Sequence, residues 1–252
     1  MRIRHLLTVP ALLLFASCWQ FQITAHAGFS QLSLDGDLGY VSGTTTSSFD
    51  QNLKDGFGLG DAQGSPYARV GLDMGTPTLA ASAFQFSDEG QGVLSANFGS
   101  NLVANTSVVS SFDLTSIKAS YAFEIPMGPV SISPGLAVNF VDLSILVRDG
   151  LNIASEDVQL QAPLPMLFAR AEVDIGIATL VGEGGYVAID VQDIAAKMLD
   201  LEALVQFDVF GPLELFAGYR YINLQGDGLI DDDSFDINLG LSGFLIGGGI
   251  TF

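Results

Sequence analysis

Four basic residues, Arg69, Lys118, Arg170 and Arg220, stand in separate stretches where every second residue is apolar. The positions sharing their parity carry Asp73, Glu124, Glu172, Asp174 and Glu214, and further stretches of the same kind carry Asp35, Asp37, Asp200, Glu202 and Asp208. Residues two apart lie on one face of a strand. Strands of this kind brought side by side therefore set cations beside carboxylates, and enclosure would turn those pairs into a charge network whose members depend on one another. A carboxylate pair such as Glu172 and Glu202 has the groups for acid–base work. Salt bridging is the expected use of such groups in a crowded charged interior, so no catalytic residue is assigned and the chain is read as a non-enzyme.

Other candidate sites are weaker. Asp227 and Asp231-Asp232-Asp233 form an acidic loop able to attract a divalent cation, but they lack the ligand spacing and glycine of an EF-hand. Gly56-Phe57-Gly58-Leu59-Gly60 has the glycines of a phosphate loop without the following lysine. No metal or cofactor is expected.

The first 27 residues have the build of a secretory signal peptide. Arg2 and Arg4 begin it, Leu6 to Phe15 form its apolar centre, and Ala25-His26-Ala27 suits cleavage after Ala27. Phe15-Ala16-Ser17-Cys18 is a competing, poorer lipoprotein box that would lipidate Cys18. Cleavage after Ala27 removes both histidines, the one cysteine and the one tryptophan, and leaves seven basic residues against 28 acidic, a formal charge of −21. That balance excludes nucleic acid as a partner, because phosphates demand Lys and Arg. It also leaves no histidine for Ser–His or Asp–His chemistry.

Residues 28–252 read as one all-β domain of about ten antiparallel strands, with eight or twelve as alternatives. The expected strands start near Leu32, Tyr67, Thr78, Phe112, Val130, Pro163, Gly176, Met198, Leu213 and Phe235. Hydrophobic residues make up 48% of the chain, yet no stretch of this domain offers the roughly 20 apolar residues of a membrane helix. The connections are expected to alternate, long after odd-numbered strands and short after even ones. Short turns at one end, longer loops at the other and an even strand count describe a transmembrane up-and-down barrel. In a bilayer the apolar faces turn to lipid and the charged faces enclose a lumen. Leu34, Leu38 and Tyr40 would then face outward, and Tyr67, sharing parity with Arg69, would face the lumen. Tyr40, Tyr186 and Tyr221 are expected at outer strand ends, and Phe123 and Phe210 at inner ones.

The final strand, Phe235 to Phe252, ends on an aromatic residue. Asp236 and Asn238 share parity with Phe252, so a bulge is expected in Gly247-Gly248-Gly249 to keep charge inward and the ring outward. This Phe-terminated strand, preceded by Gly218-Tyr219-Arg220-Tyr221, resembles the ending of small bacterial outer-membrane β-barrel proteins over about the last forty residues. The resemblance implies an outer-membrane location, lipid and lipopolysaccharide as surroundings, and a role for Phe252 in the signal read by the barrel-assembly machinery. It implies no catalytic residues. Omptin-type proteases and outer-membrane lipases share the architecture but work through histidine.

Two functions follow: a structural or interaction barrel with a largely closed, charged lumen and external loops, or a narrow pore or small-ligand conduit. The expected lumenal network is Arg69, Lys118, Arg170, Arg220, Asp73, Glu124, Glu172, Asp174, Glu202, Asp208 and Glu214. Its density favours the closed form.

Overall fold

The computed structural model describes residues 21–41, 50–191, 194–230 and 233–252. In chain order the strands are β1 (Gln22–Val41), β2 (Gln51–Asn52), β3 (Gln63–Asp73), β4 (Pro77–Val93), β5 (Ser107–Phe123), β6 (Ile125–Met127), β7 (Val130–Asp149), β8 (Ser155–Asp174), β9 (Thr179–Val191), β10 (Ile194–Phe210), β11 (Leu213–Ile230) and β12 (Asp233–Thr251). A short helix, α1 (Leu53–Phe57), lies between β2 and β3. All twelve belong to one antiparallel sheet; ten close the ring, while β2 pairs beside β1 and β6 forms a short hairpin with β7. The ring shuts where β12 pairs β1 from Thr24↔Thr251 to Val41↔Ser234. Closure satisfies the backbone of both edge strands, without which a sheet cannot cross a bilayer.

Most strands are longer than expected. β7 and β8 have 20 residues each, about twice the 9–11 that span a bilayer. The extra length comes from segments anticipated as loops: β8 begins at Ser155 and β11 runs to Ile230. The loop-length alternation is thus only partly realised. The turn after β7 covers only residues 150–154, whereas the segments after β1 and β4 remain long. Asp231 and Asp232 of the acidic loop lie outside the described residues.

Polarity inverts partway up each long strand. On β4 the outward residues are Leu79, Ala81 and Ala83 near the short-turn end, then Gln85, Ser87 and Glu89 above. The inward ones are Thr78 and Ser82 below, then Phe84 and Phe86. β5 repeats this, with Lys118 and Ser116 giving way inward to Leu114 and Phe112 while Ile117 gives way outward to Asp113. The lower half is a membrane barrel, apolar outside and polar within. The upper half obeys the opposite rule, that of a barrel standing in water with its core inside.

This inversion corrects two expectations. Leu34 and Leu38 face the lumen, where they are buried in the upper core, and Asp35 is exposed. β12 needs no bulge: its register with β1 and β11 is unbroken through Gly247, Gly248 and Gly249. Asp236 and Asn238 point outward like Phe244 and Ile246, each into the medium that suits it.

The upper core is filled from inside by two connections. α1 brings Leu53 and Phe57, and residues 94–106 bring Leu94, Phe98 and Leu102, all at 0–1% exposure. Phe57 meets Phe98 edge-on at 5.2 Å between ring centres. Gly58, at φ 72°, ends the helix so close to β4 that a Cβ there would sit 2.2 Å from the Gln91 carbonyl oxygen. Gly58 and Gly60 of the phosphate-loop-like stretch thus serve backbone-to-backbone packing.

The inversion makes neighbouring β4 residues respond oppositely to truncation. Phe86→Ala is expected to cost about 3–5 kcal/mol, as for a large core aromatic, and Gln85→Ala to stay within about 0.5 kcal/mol. Urea unfolding of the refolded barrel measures both; equal midpoint shifts would contradict the upper core.

Candidate functional site

Below the apolar core lies a layer of six buried charges. Arg69 and Lys118 reach inward from β3 and β5, Glu183 from β9, Asp200 and Glu202 from β10, and Arg220 from β11; each is at most 6% exposed. The local pairing explains why they meet. Glu202 stands opposite both Glu183 and Arg220 in the ladder, so two carboxylates adjoin and repel unless cations come between. Arg69 crosses the lumen to supply one, with Nη1 2.6 Å from Glu183 and 3.7 Å from Glu202. Lys118 Nζ lies 2.8 Å from Asp200 and 3.2 Å from Glu183. Arg220 Nη2 donates to both Asp200 oxygens at 3.1 and 3.3 Å, and its guanidinium stacks on Phe84 at 4.3 Å. Tyr67 faces the lumen, as its parity requires, and donates its hydroxyl to Glu202 at 3.0 Å. Three cations and three carboxylates thus brace one wall against the other.

The remaining predicted charges divide. Arg170 is half-buried at the lower margin of this layer, paired with Glu172 and 3.4 Å from Glu183. Asp73, Glu124, Glu172, Asp208 and Glu214 line a polar cavity of about 390 Å³ at the short-turn end. Partial burial pushes the Glu124 carboxyl up, and Asp73 and Glu172 add to the effect. Asp174 is outside the network: it is exposed and accepts from the Gly176 amide in the β8–β9 turn. Glu183 carries no parity signal because it sits in Gly182-Glu183-Gly184-Gly185, where glycines erase the alternation that marks a face. Asp200 carried the right signal, since it shares parity with Glu202.

His26 lies just ahead of the cleavage point expected from the sequence. The cleavage point expected after Ala27 falls inside β1, and residues ahead of it are paired on both sides, from Gln22↔Asp73 with β3 and from Thr24↔Thr251 with β12. His26 Nε2 lies 2.9 Å from Glu214, whose other oxygen accepts from the Thr251 hydroxyl. The imidazole packs against Phe216 at 5.3 Å and lies over Gly249, where a Cβ would strike the ring. These contacts join β1, β12 and β11 across the closure. Beside them Ile23 and Phe252 exchange backbone hydrogen bonds at 2.9 Å in both directions, with the Phe252 ring exposed.

No family model matches the chain, and no curated protein matches it by sequence. Among solved structures it is similar to the outer membrane protease OmpT of Escherichia coli, with 8% identity, coverage of 94% of this chain and 99% of that one, and a TM-score of 0.58. The translocator domain of autotransporter NalP from Neisseria meningitidis gives 12% identity, 92% and 87% coverage and a TM-score of 0.42. Neisserial surface protein A gives 15%, 92% and 97%, and 0.36. At these identities the likeness is one of fold: the chain has the architecture of bacterial outer-membrane β-barrels.

Burial ranks the arginines. Arg220→Ala leaves Asp200 and Glu202 short of a cation in a sealed layer and is expected to cost on the order of 3–5 kcal/mol. Arg170→Ala, whose partner Glu172 is open to the cavity, is expected to cost about 1 kcal/mol or less. Equilibrium unfolding of the two refolded variants checks the order; a larger loss for Arg170 would contradict it.

Proposed function

We propose that the chain is an outer-membrane barrel closed to through-flow, with a structural or interaction role exercised by the extended rim above the membrane. The observation that carries this reading is the charge layer. It bridges opposite walls with side chains almost wholly buried, and the apolar core stands directly on it. Outer-membrane lipid and lipopolysaccharide are the surroundings that its lower apolar band and polar rim fit, and Phe252, outward at the end of the closing strand, suits recognition by the assembly machinery. The reading is non-enzymatic. Both Glu214 oxygens are engaged, one with His26 and one with Thr251, which favours a seam contact over a catalytic pair. The 390 Å³ cavity favours the second reading, a narrow pore or small-ligand conduit.

Planar-bilayer recording separates the two. The refolded barrel is expected to give no steps above the lipid baseline, and Arg170→Ala to leave that unchanged. Regular single-channel steps in the unaltered protein would overturn the closed reading in favour of the pore.

We further propose that the export segment ends ahead of Gln22 rather than after Ala27. Cleavage after Ala27 would strip the lower ends of β3 and β12 of their partners, and unpaired backbone groups in hydrocarbon cost several kcal/mol each. The intact mass of barrel extracted from outer membranes is expected to include Gln22 through Ala27. A mass beginning at Gly28 would refute this boundary.

A further inference from the structure

The wall forks between β8 and β9. Their ladder runs from Asp174↔Thr179 to Leu167↔Tyr186 and stops there. Yet β8 continues twelve residues further, zipped to β7 as far as Arg148↔Ser155, and β9 continues five, zipped to β10 as far as Ile194↔Val191. The sequence encodes the parting. Asp174 N–H donates to Pro129 and Ile175 N–H to Ala178, so even-numbered amides near this end of β8 point to β7 and odd-numbered ones to β9. Continued upward, that alternation sets Pro165 and Pro163 as the first two β9-facing positions above the fork. Neither has an N–H to give.

A second gap, above Tyr67 where β3 leaves β4, is sealed. There Asp88 accepts from the Gly60 amide and from Gln63, and α1 packs its backbone on β4. Among the described residues no segment pairs with either edge of the β8–β9 fork. What lies behind it is mainly apolar: Leu164, Met166, Val187 and Met198, all buried, with the Asn139 amide donating to the Met198 Sδ at 3.7 Å. The Met166 side chain rests on Gly185, where a Cβ would come within 3.1 Å of its Sδ and Cε. Glycine here gives a flexible thioether room to lie across the opening.

The outer surface is indented just below this point. A groove of about 540 Å³ crosses the lipid-facing side of β8 to β11, floored by Ala169, Ala171, Gly182, Gly184 and Ala203. Ala169 pairs with Gly184, two residues below the last β8–β9 pair. Leu167 and Tyr186 at the fork are 69% and 49% exposed, within the outward apolar band. Hydrocarbon is the medium against that band.

We propose that the groove and fork form a binding site for one acyl chain of an outer-leaflet lipid, lying over Ala169 and Gly184 and passing beside Met166 toward Met198. This goes beyond the closed-barrel reading. The charge layer remains the floor, so the exchange is lateral and moves nothing across the membrane.

Bromine-labelled acyl chains test it. A tryptophan reporter, Met198→Trp, is built in the full chain carrying Trp19→Phe and Cys18→Ser and refolded into vesicles of dibromo-acyl phosphatidylcholine. Contact with bromine quenches indole emission. The expected result is loss of reporter emission relative to unbrominated vesicles, comparable with a lipid-facing Leu167→Trp control. Continuing the ladder places Pro165 opposite Ala188, so a Pro165→Cys/Ala188→Cys disulfide closes the fork; oxidation is expected to restore emission and reduction to abolish it again. Pro163→Thr/Pro165→Thr, which returns the missing donors, is expected to reduce quenching without a cross-link. An unquenched Met198→Trp reporter, or quenching that neither closure changes, would overturn the proposal, whatever the conductance recordings show.

Discussion

Hydrocarbon accepts neither an unpaired backbone amide nor an unpaired charge, and the lower half of this protein is arranged to meet both demands at once. The ring of ten strands meets the first up to the β8–β9 fork, with β1 and β12 pairing along almost their full length. The second is harder for a chain so rich in carboxylates. Glu183 and Glu202 adjoin on neighbouring strands, and Arg69 and Lys118 must come from the far wall to neutralise the layer. That reach fixes what the lumen can be. A barrel braced across its own diameter by buried ion pairs has little space left at that height, and the core above can use the brace as its floor.

Much of this was legible in the sequence because parity is a local signal. Arg69, Lys118 and Arg220 advertise their common side through the apolar residues on either flank, and Tyr67 follows from Arg69. What parity cannot convey is where along a strand the solvent changes. Leu34 and Leu38 show the same alternation whether the apolar face meets lipid or a core, so the membrane rule applied throughout turns the upper half inside out. The bulge expected at Gly247-Gly248-Gly249 arose from the same assumption: Asp236 and Phe244 share a face and differ only in height. Glu183 was hidden for another reason, since its glycine neighbours carry no polarity to alternate.

The two internal connections show a use for glycine beyond the turns that Gly58 and Gly99 make at positive φ. Gly58, Gly90 and Gly92 let α1 lie on β4 at backbone contact, and Gly99 leaves room for the Glu156 carboxylate, which accepts from the Ser100 and Asn101 amides at 2.8 and 2.7 Å. Gln51 does the same for Ser95 at 2.9 Å. Two buried side chains thus hold the connection between β4 and β5 inside the ring, and the apolar residues it carries are enclosed with it.

The charge layer has a further electrical property. Its three cations and three carboxylates cancel, so the layer has no net charge on which a membrane potential can do work. A single uncompensated charge carried across 100 mV exchanges about 2.3 kcal/mol with the field; a neutral layer moving as a unit exchanges essentially none. Among the described residues, further carboxylates line the cavity beneath and stand on the outer surface above. A Donnan potential between periplasm and exterior would redistribute counterions around those regions while leaving the brace unstressed, so these ion pairs are indifferent to the voltage across them.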